Sequence, residues 1–158
     1  MKYPLFLLIA LAAAPAWAAD MTPMSAPEAE APVDKLAAAR RHIKAKKWPD
    51  AIAELKRVND SGNADWNNLM GYSLRKQTSP DLVGAERHYD AALRIAPTHR
   101  GALEYAGELM LMKGDLARAE QRLAELARAC ASGCEEYADL KGAVVRYKAA
   151  GNKYLPSP

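Results

Sequence analysis

Aromatic residues and cysteines are scarce in this sequence. Only 7% of the 158 residues are aromatic, Phe6 is the single phenylalanine, and there are two cysteines. Phe6 lies in the N-terminal leader described below, so a folded core has to be built from Leu, Ala, Val, Ile, Met and Tyr. This composition favours close helix-on-helix packing over a sheet, because strands are rich in aromatic and β-branched residues.

Catalytic motifs are missing as well. The chain contains no Gly-x-Ser-x-Gly, no His-Glu-x-x-His and no phosphate-binding Gly-x-x-x-x-Gly-Lys. Ser73, Ser79 and Ser132 stand in no nucleophile context, and the acidic pair Glu135 and Glu136 is explained by the dipole of a predicted helix start. We therefore expect no enzyme activity, no catalytic residue and no cofactor.

The charges are mixed along the chain and form no concentrated basic stripe. The 22 Lys and Arg residues are interspersed with 19 Asp and Glu, and the formal net charge is +3. A nucleic-acid binder usually shows a basic patch and a higher isoelectric point, so we expect no nucleic-acid partner. With 50% hydrophobic and 26% charged residues, the composition is that of one ordinary globular domain.

Residues 1–18 are predicted to be a cleavable signal peptide. Lys2 gives a positive start, residues 5–14 are apolar, and residues 16–18 read Ala-Trp-Ala, a small-x-small cleavage signal. No later stretch approaches the roughly 20 apolar residues that a transmembrane helix needs, so we expect no membrane span. The compact leader predicts export to the bacterial periplasm, and no cysteine directly follows the cleavage site to carry a lipid anchor.

The mature chain is predicted to have three parts. Residues 19–33 contain three prolines among small and acidic residues, which predicts a disordered linker. Residues 34–151 keep a helical periodicity up to a helix stop at Gly151, and residues 152–158 are predicted to be a flexible tail. We predict seven helices, near residues 34–46, 48–60, 63–77, 80–95, 98–112, 115–130 and 134–150.

Three prominent residues mark the predicted helix starts. Pro49 and Pro80 are each predicted to occupy the first position of a helix, where proline is favoured. Asp115 is predicted to cap the helix that follows it. No segment alternates with a period of two, so we expect no strands.

A spacing of 34 residues recurs in the helical part. Ala51, Ala85 and Ala119 are 34 residues apart, and each has a large apolar residue three positions before it and another four positions after it. Upstream of the second and third alanines, Gly71 and Gly107 lie in similar apolar patterns. The spacing indicates repeated helix pairs, in which small residues lie where a partner helix crosses closely.

These residues resemble the tetratricopeptide repeat, a 34-residue helix-turn-helix unit. Ala85, Tyr89, Ala92 and Pro97 match the second-helix part of that pattern in full. The resemblance implies an all-α fold, a right-handed α-solenoid of about three helix-turn-helix repeats with a C-terminal capping helix.

The C-terminal half strengthens this resemblance. The stretches 99–120 and 130–152 are similar to small secreted tetratricopeptide proteins of proteobacteria, a group that implies a fold and an export route but no particular ligand. The predicted last helix carries one apolar stripe on an otherwise polar surface, as the cap of a helix-pair stack requires.

The resemblance also implies a partner-binding groove. In such stacks the first helices of the pairs line a concave groove, which holds extended or helical segments of a protein or peptide partner. The usual groove positions fall on Arg40, Ile43, Lys44, Asn68, Tyr72, Arg75, Lys76, Glu104, Glu108 and Leu111. The basic members come from the first two units and the acidic members from the third. We therefore predict a partner segment with a negative and a positive end, anchored by Tyr72; alternatively these residues are ordinary solvated helix faces.

Cys130 and Cys134 are predicted to form a disulfide between the third repeat and the last helix. An even number of closely spaced cysteines in an oxidising compartment favours this pairing, which would contribute only about 2 kcal/mol in so short a loop. A redox or metal pair is the alternative. Redox motifs favour a two-residue spacer, and His42, His88 and His99 lie in other predicted helices, so no metal site is expected.

Together these patterns predict a non-enzymatic protein–protein interaction module in the periplasm. Two other interpretations remain open. The chain could be an accessory thiol or metal-binding protein that uses Cys130 and Cys134, or a subunit that is stable only within an envelope complex.

Overall fold

The computed structural model describes residues 34–131 and 133–156. The predicted signal peptide, the predicted linker and the last two residues of the predicted tail lie outside the described residues. The described part contains seven helices and no strand: α1 Ala37–Lys44, α2 Trp48–Val58, α3 Ala64–Lys76, α4 Leu82–Ile95, α5 Arg100–Met112, α6 Leu116–Ala129 and α7 Glu135–Ala149. These are the seven predicted helices with slightly shorter ends. None of them combines the length and the apolar character needed to cross a bilayer.

Side-chain caps fix where most of these helices begin. In four helices the residue before the first turn accepts a hydrogen bond, through its side chain, from the backbone N–H three residues later. These capping residues are Asn63, Asp81, His99 and Asp115. Pro49 lies in the first turn of α2, as predicted. The prediction for Pro80 is wrong, because Asp81 takes the capping position and leaves Pro80 outside α4.

The helices pack as three successive pairs, α1 with α2, α3 with α4 and α5 with α6, and α7 closes the stack against α5 and α6. The predicted fold class is confirmed. Ala51, Ala85 and Ala119, the residues that define the 34-residue spacing, are each completely buried at 0% exposure. Their small side chains allow the two helices of a pair to approach closely.

Gly71 and Gly107 also lie at close helix crossings, but with different neighbours. A Cβ on Gly71 would lie 2.8 Å from the ring of Tyr89 in α4, the second helix of the same pair. A Cβ on Gly107 would lie 2.6 Å from Leu140 in α7. The third pair therefore uses its small residue to receive the closing helix.

Two apolar clusters form the core. The smaller one joins α1, α2 and α3 around Leu55 and Trp66, and the larger one runs from α3 to α7. Leu74 packs against both clusters. The first helix pair is therefore attached to the rest of the stack through α3.

The chain reverses direction after α7. Gly151 and Asn152 both adopt left-handed backbone angles, and the N–H of Asn152 donates to the carbonyl of Tyr147 at 2.9 Å. This is the hydrogen-bond pattern of a Schellman motif, and it confirms the helix stop at Gly151. Residues 152–158 were predicted to be a flexible tail, yet Tyr154 is half-buried and packs against the larger core.

Candidate partner-binding groove

A groove of about 790 Å³ lies between the first helices of the three pairs and α7. Seven of the ten predicted groove residues line it: Ile43, Lys44, Tyr72, Arg75, Lys76, Glu104 and Glu108. Six further lining residues were not predicted: Lys46, Trp48, Tyr105, Asp139, Arg146 and Tyr154. The usual groove positions of the repeat lie on the first helices only, so they missed the residues that reach the groove from a loop, α2, α7 and the C-terminal segment. Tyr105 lies on a first helix, α5, but not at one of those positions.

The other three predicted residues lie elsewhere. Arg40 donates to Asp65 at 3.1 Å outside the groove, and Asn68 is buried beside Gly101. Leu111 is 1% exposed in the larger core. It lies one helical turn after Gly107 and so shares the face of α5 that α7 covers. Arg40, Asn68 and Leu111 therefore do not line this groove.

Arg75 forms the floor of the groove. Its side chain is only 1% exposed, and its Nη1 donates to Oε2 of Glu108 at 2.7 Å. The guanidinium carbon lies 5.6 Å from the ring centre of Tyr72 and 5.5 Å from that of Tyr105. Burial alone would lower the pKa of Arg75, but Tyr89 and Glu108 outweigh it and raise this pKa, so Arg75 stays cationic.

This ion pair changes the predicted charge pattern of the groove. Arg75 was predicted to receive the negative end of a partner and Glu108 the positive end. Because they neutralise each other inside the protein, neither is a free charge for a partner. Exposed cations remain at the rim on Lys44, Lys46 and Lys76, which we call the rim lysines.

Three half-buried aromatic side chains line one side of the groove, and we call them the aromatic wall: Trp48, Tyr72 and Tyr105. The ring centres of Trp48 and Tyr72 are 5.8 Å apart in an edge-on arrangement, and those of Tyr72 and Tyr105 are 4.6 Å apart. Burial raises the pKa of Tyr72 and of Tyr105. The wall therefore offers neutral apolar surface together with two phenol hydroxyls.

Glu104 is a neutral carboxyl group at the acidic side of the groove. It is 7% exposed, and burial, with help from the carboxylates of Glu108 and Asp139, raises its pKa to about 8. At neutral pH it is therefore mostly protonated and can donate a hydrogen bond. The residues that line the groove include no Ser, Cys or His.

No model of a known protein family matches the sequence, and no curated protein matches it. Solved structures do match. A crystal structure of the Yersinia enterocolitica type III secretion chaperone SycD in complex with a peptide of the translocator YopD is 19% identical, with a TM-score of 0.60 over 73% of this chain and 88% of that chain. A second structure of this translocator chaperone is 18% identical, with a TM-score of 0.64 over 74% and 83%. At this identity the likeness shows a common fold.

The predicted tetratricopeptide family is compatible with this fold. The helix pairs and their 34-residue spacing are those of the repeat, and the solved structures share the helical architecture. Membership of the family itself stays a prediction.

The two cysteines lie at the junction of α6 and α7. The sulfur atoms of Cys130 and Cys134 are 2.11 Å apart, at disulfide-bonding distance. A carboxylate oxygen of Glu136 lies within 4.8 Å of both sulfurs, and these three residues are the one group in the described part of the chain that could hold a metal ion. A disulfide would occupy both sulfurs, so this site requires the reduced pair.

Proposed function

We propose that this chain is a non-enzymatic binding protein whose groove holds an extended segment of a partner protein. The observation that carries the proposal is the open groove, in which the aromatic wall lies beside the buried ion pair of Arg75 and Glu108. The two charges of this pair neutralise each other. The likeness to SycD supports it, because that chaperone was solved in complex with a peptide of a translocator protein.

The groove chemistry suits an apolar segment with acidic neighbours. The aromatic wall can cover an apolar side chain, and amphipathic aromatic residues of this kind are common anchors of binding sites. The phenol hydroxyls and the protonated Glu104 can bond backbone groups of an extended chain. The rim lysines favour an acidic residue beside the anchor and would speed its approach.

Site-directed crosslinking tests this function. A photocrosslinking amino acid in place of Lys76, at the groove rim, should crosslink a partner in the native envelope. The same amino acid in place of Arg128, an exposed residue of α6, should not. Mass spectrometry identifies the crosslinked protein.

Two tyrosine variants show whether the aromatic wall holds the partner. In the Lys76 crosslinking background, Tyr72→Ala should abolish the crosslink, because it removes the centre of the wall. Tyr137→Ala is the matched control, since Tyr137 is also half-buried but lies on α7 outside the groove. Equal crosslinking by both variants, with unchanged helicity, would contradict a groove-bound partner.

We also propose that the protein acts in the periplasm. The predicted signal peptide supports export, and a disulfide between Cys130 and Cys134 would persist there. Intact mass of the protein from the periplasmic fraction should correspond to a chain that starts at Ala19 and lacks two hydrogen atoms. Free thiols or a stoichiometric metal ion would instead favour the alternative thiol or metal-binding function.

A further inference from the structure

The C-terminal segment of the chain enters the groove. After the reversal at Gly151 and Asn152, Tyr154 is half-buried and lines the groove beside Arg75, Glu108 and Arg146. The neighbouring residues 153, 155 and 156 are exposed, and Leu155 is 50% exposed. One aromatic side chain therefore carries the contact between this segment and the groove.

Tyr154 meets the polar floor of the groove and not only its apolar surface. Burial raises the pKa of its hydroxyl, the carboxylate of Glu108 raises it further, and the guanidinium of Arg75 opposes both. We call the site that surrounds Tyr154 the Tyr154 subsite. It offers apolar packing to the ring and the charged groups of Arg75 and Glu108 to the hydroxyl. Such a site suits tyrosine better than phenylalanine, because a purely apolar ring would leave these polar groups without its hydroxyl.

The attachment of this segment is slight. The last backbone hydrogen bond is the one from Asn152 to Tyr147, and within the described residues none joins 153–156 to the rest of the protein. Segments with few buried contacts and few backbone hydrogen bonds open at low cost compared with packed helices. The Tyr154 subsite can therefore be vacated without unfolding the stack.

We propose that residues 152–156 are a displaceable resident ligand of the groove, and that a partner binds by placing a tyrosine of its own in the Tyr154 subsite. This inference rests on the proposed function. The tethered segment competes at an effective concentration on the order of millimolar. A partner that offers only a tyrosine is excluded, whereas one that also covers the aromatic wall displaces the segment.

A peptide titration tests the subsite without the partner. The probe is a synthetic peptide with the sequence of residues 151–158, titrated into the full chain and into its Tyr154→Ala variant. Vacating the subsite should raise the affinity for the peptide about tenfold, because the tethered competitor is removed. Leu155→Ala, at the exposed neighbour, is the control and should bind like the unmodified chain. A peptide with phenylalanine in place of tyrosine should bind more weakly.

Nuclear magnetic resonance identifies where the peptide binds. In the Tyr154→Ala chain the backbone amide signals of Glu108 and Arg146 should move during the titration. The indole signal of Trp66 should not, because its Nε1–H donates to the carbonyl of Leu55 at 2.8 Å in the smaller core. Equal affinity of the two chains would overturn the proposal, and so would binding that leaves the signals of Glu108 and Arg146 unmoved.

The crosslinking assay separates this inference from the proposed function. Tyr154→Ala should increase the yield of the Lys76 crosslink, because the partner no longer competes with the segment. An unchanged yield would overturn the role of the segment and leave the groove as the partner site. Loss of every specific crosslink would remove the proposed function, while the peptide titration would still report on the subsite.

Discussion

The groove and the opposite face of the stack treat charged residues differently. In the groove, the side chain of Arg75 is 1% exposed and is paired with Glu108 at 2.7 Å. On the opposite face, formed by the second helices of the pairs, Arg118 is 50% exposed and bonds Glu86 at 2.9 Å and Asp115 at 2.6 Å. Both arginines link neighbouring helix pairs, but Arg75 is shielded from solvent and Arg118 is exposed to it.

This difference in exposure decides how much each ion pair contributes to stability. An exposed pair contributes little, because water and salt screen the charges and two long side chains must be ordered. A buried pair costs desolvation, and removal of one partner leaves a charge that neither water nor protein compensates. The groove floor is therefore fixed in one arrangement, whereas the opposite face tolerates substitution. The floor of the proposed binding groove is therefore preformed.

Loss of the buried arginine should have the largest effect. Arg75→Met keeps a long side chain but removes the guanidinium beside Glu108, and we expect the free energy of unfolding to fall by about 3–5 kcal/mol. Arg118→Met, the matched substitution on the opposite face, should cost about 1 kcal/mol or less. Urea denaturation of both variants provides the measurement.

A double substitution checks that the loss comes from the uncompensated charge. Arg75→Met combined with Glu108→Leu should recover most of the stability, because an apolar pair replaces the buried ion pair. Equal losses for Arg75→Met and Arg118→Met would mean that burial makes no difference between the two faces.

The protonated carboxyl in the groove should produce the next largest effect, a dependence of stability on pH. Burial raises the pKa of Glu104 in the folded chain to about 8, from 4.5 for an unperturbed glutamate. Between these values the unfolded chain ionises while the folded chain keeps the proton, so stability falls as the pH rises through this window.

Comparison with Glu104→Gln isolates this contribution. Each pKa unit corresponds to about 1.4 kcal/mol, and we expect the difference in unfolding free energy between the two chains to change by about 2 kcal/mol or more from pH 5 to pH 8.5. The variant should be the more stable of the two at the high end. Asp139→Asn should reduce the effect, because the carboxylate of Asp139 helps to raise this pKa. A parallel pH dependence of the two chains would contradict a protonated Glu104.

The features that the sequence predicted are those set by local pattern. The spacing of Ala51, Ala85 and Ala119 identifies the helix pairs, because a helix must present a small residue wherever its partner crosses. The helix bounds follow from capping residues and turn glycines that act within a few residues. The closeness of the Cys130 and Cys134 sulfur atoms follows from the short separation of these residues in the chain.

The features that the sequence did not predict depend on neighbours distant in the chain. Periodicity shows which residues share a helix face, but it does not show that α7 covers the face that carries Leu111. The usual groove positions of the repeat include Arg75 but give no sign that Glu108 and two tyrosine rings enclose its guanidinium. For Tyr154 a signal existed. Gly151 and Asn152 both tolerate left-handed angles, and an aromatic residue follows them closely.

The smallest effect is expected for the carboxylate on the opposite face. Glu86 in α4 accepts from both Lys113 and Arg118, and these two bonds lower its pKa. The contribution of Glu86 to stability is therefore present above the pKa that this residue has in the unfolded chain. It is lost as the pH falls through the lower pKa of the folded chain. Because Arg118 is half-exposed, Glu86→Gln should cost less than about 1 kcal/mol at neutral pH, and 1 M NaCl should remove most of that loss. Urea denaturation at low and high salt measures both values. A salt-independent loss as large as that of Arg75→Met would show that this exposed network is as essential to the stack as the buried pair in the groove.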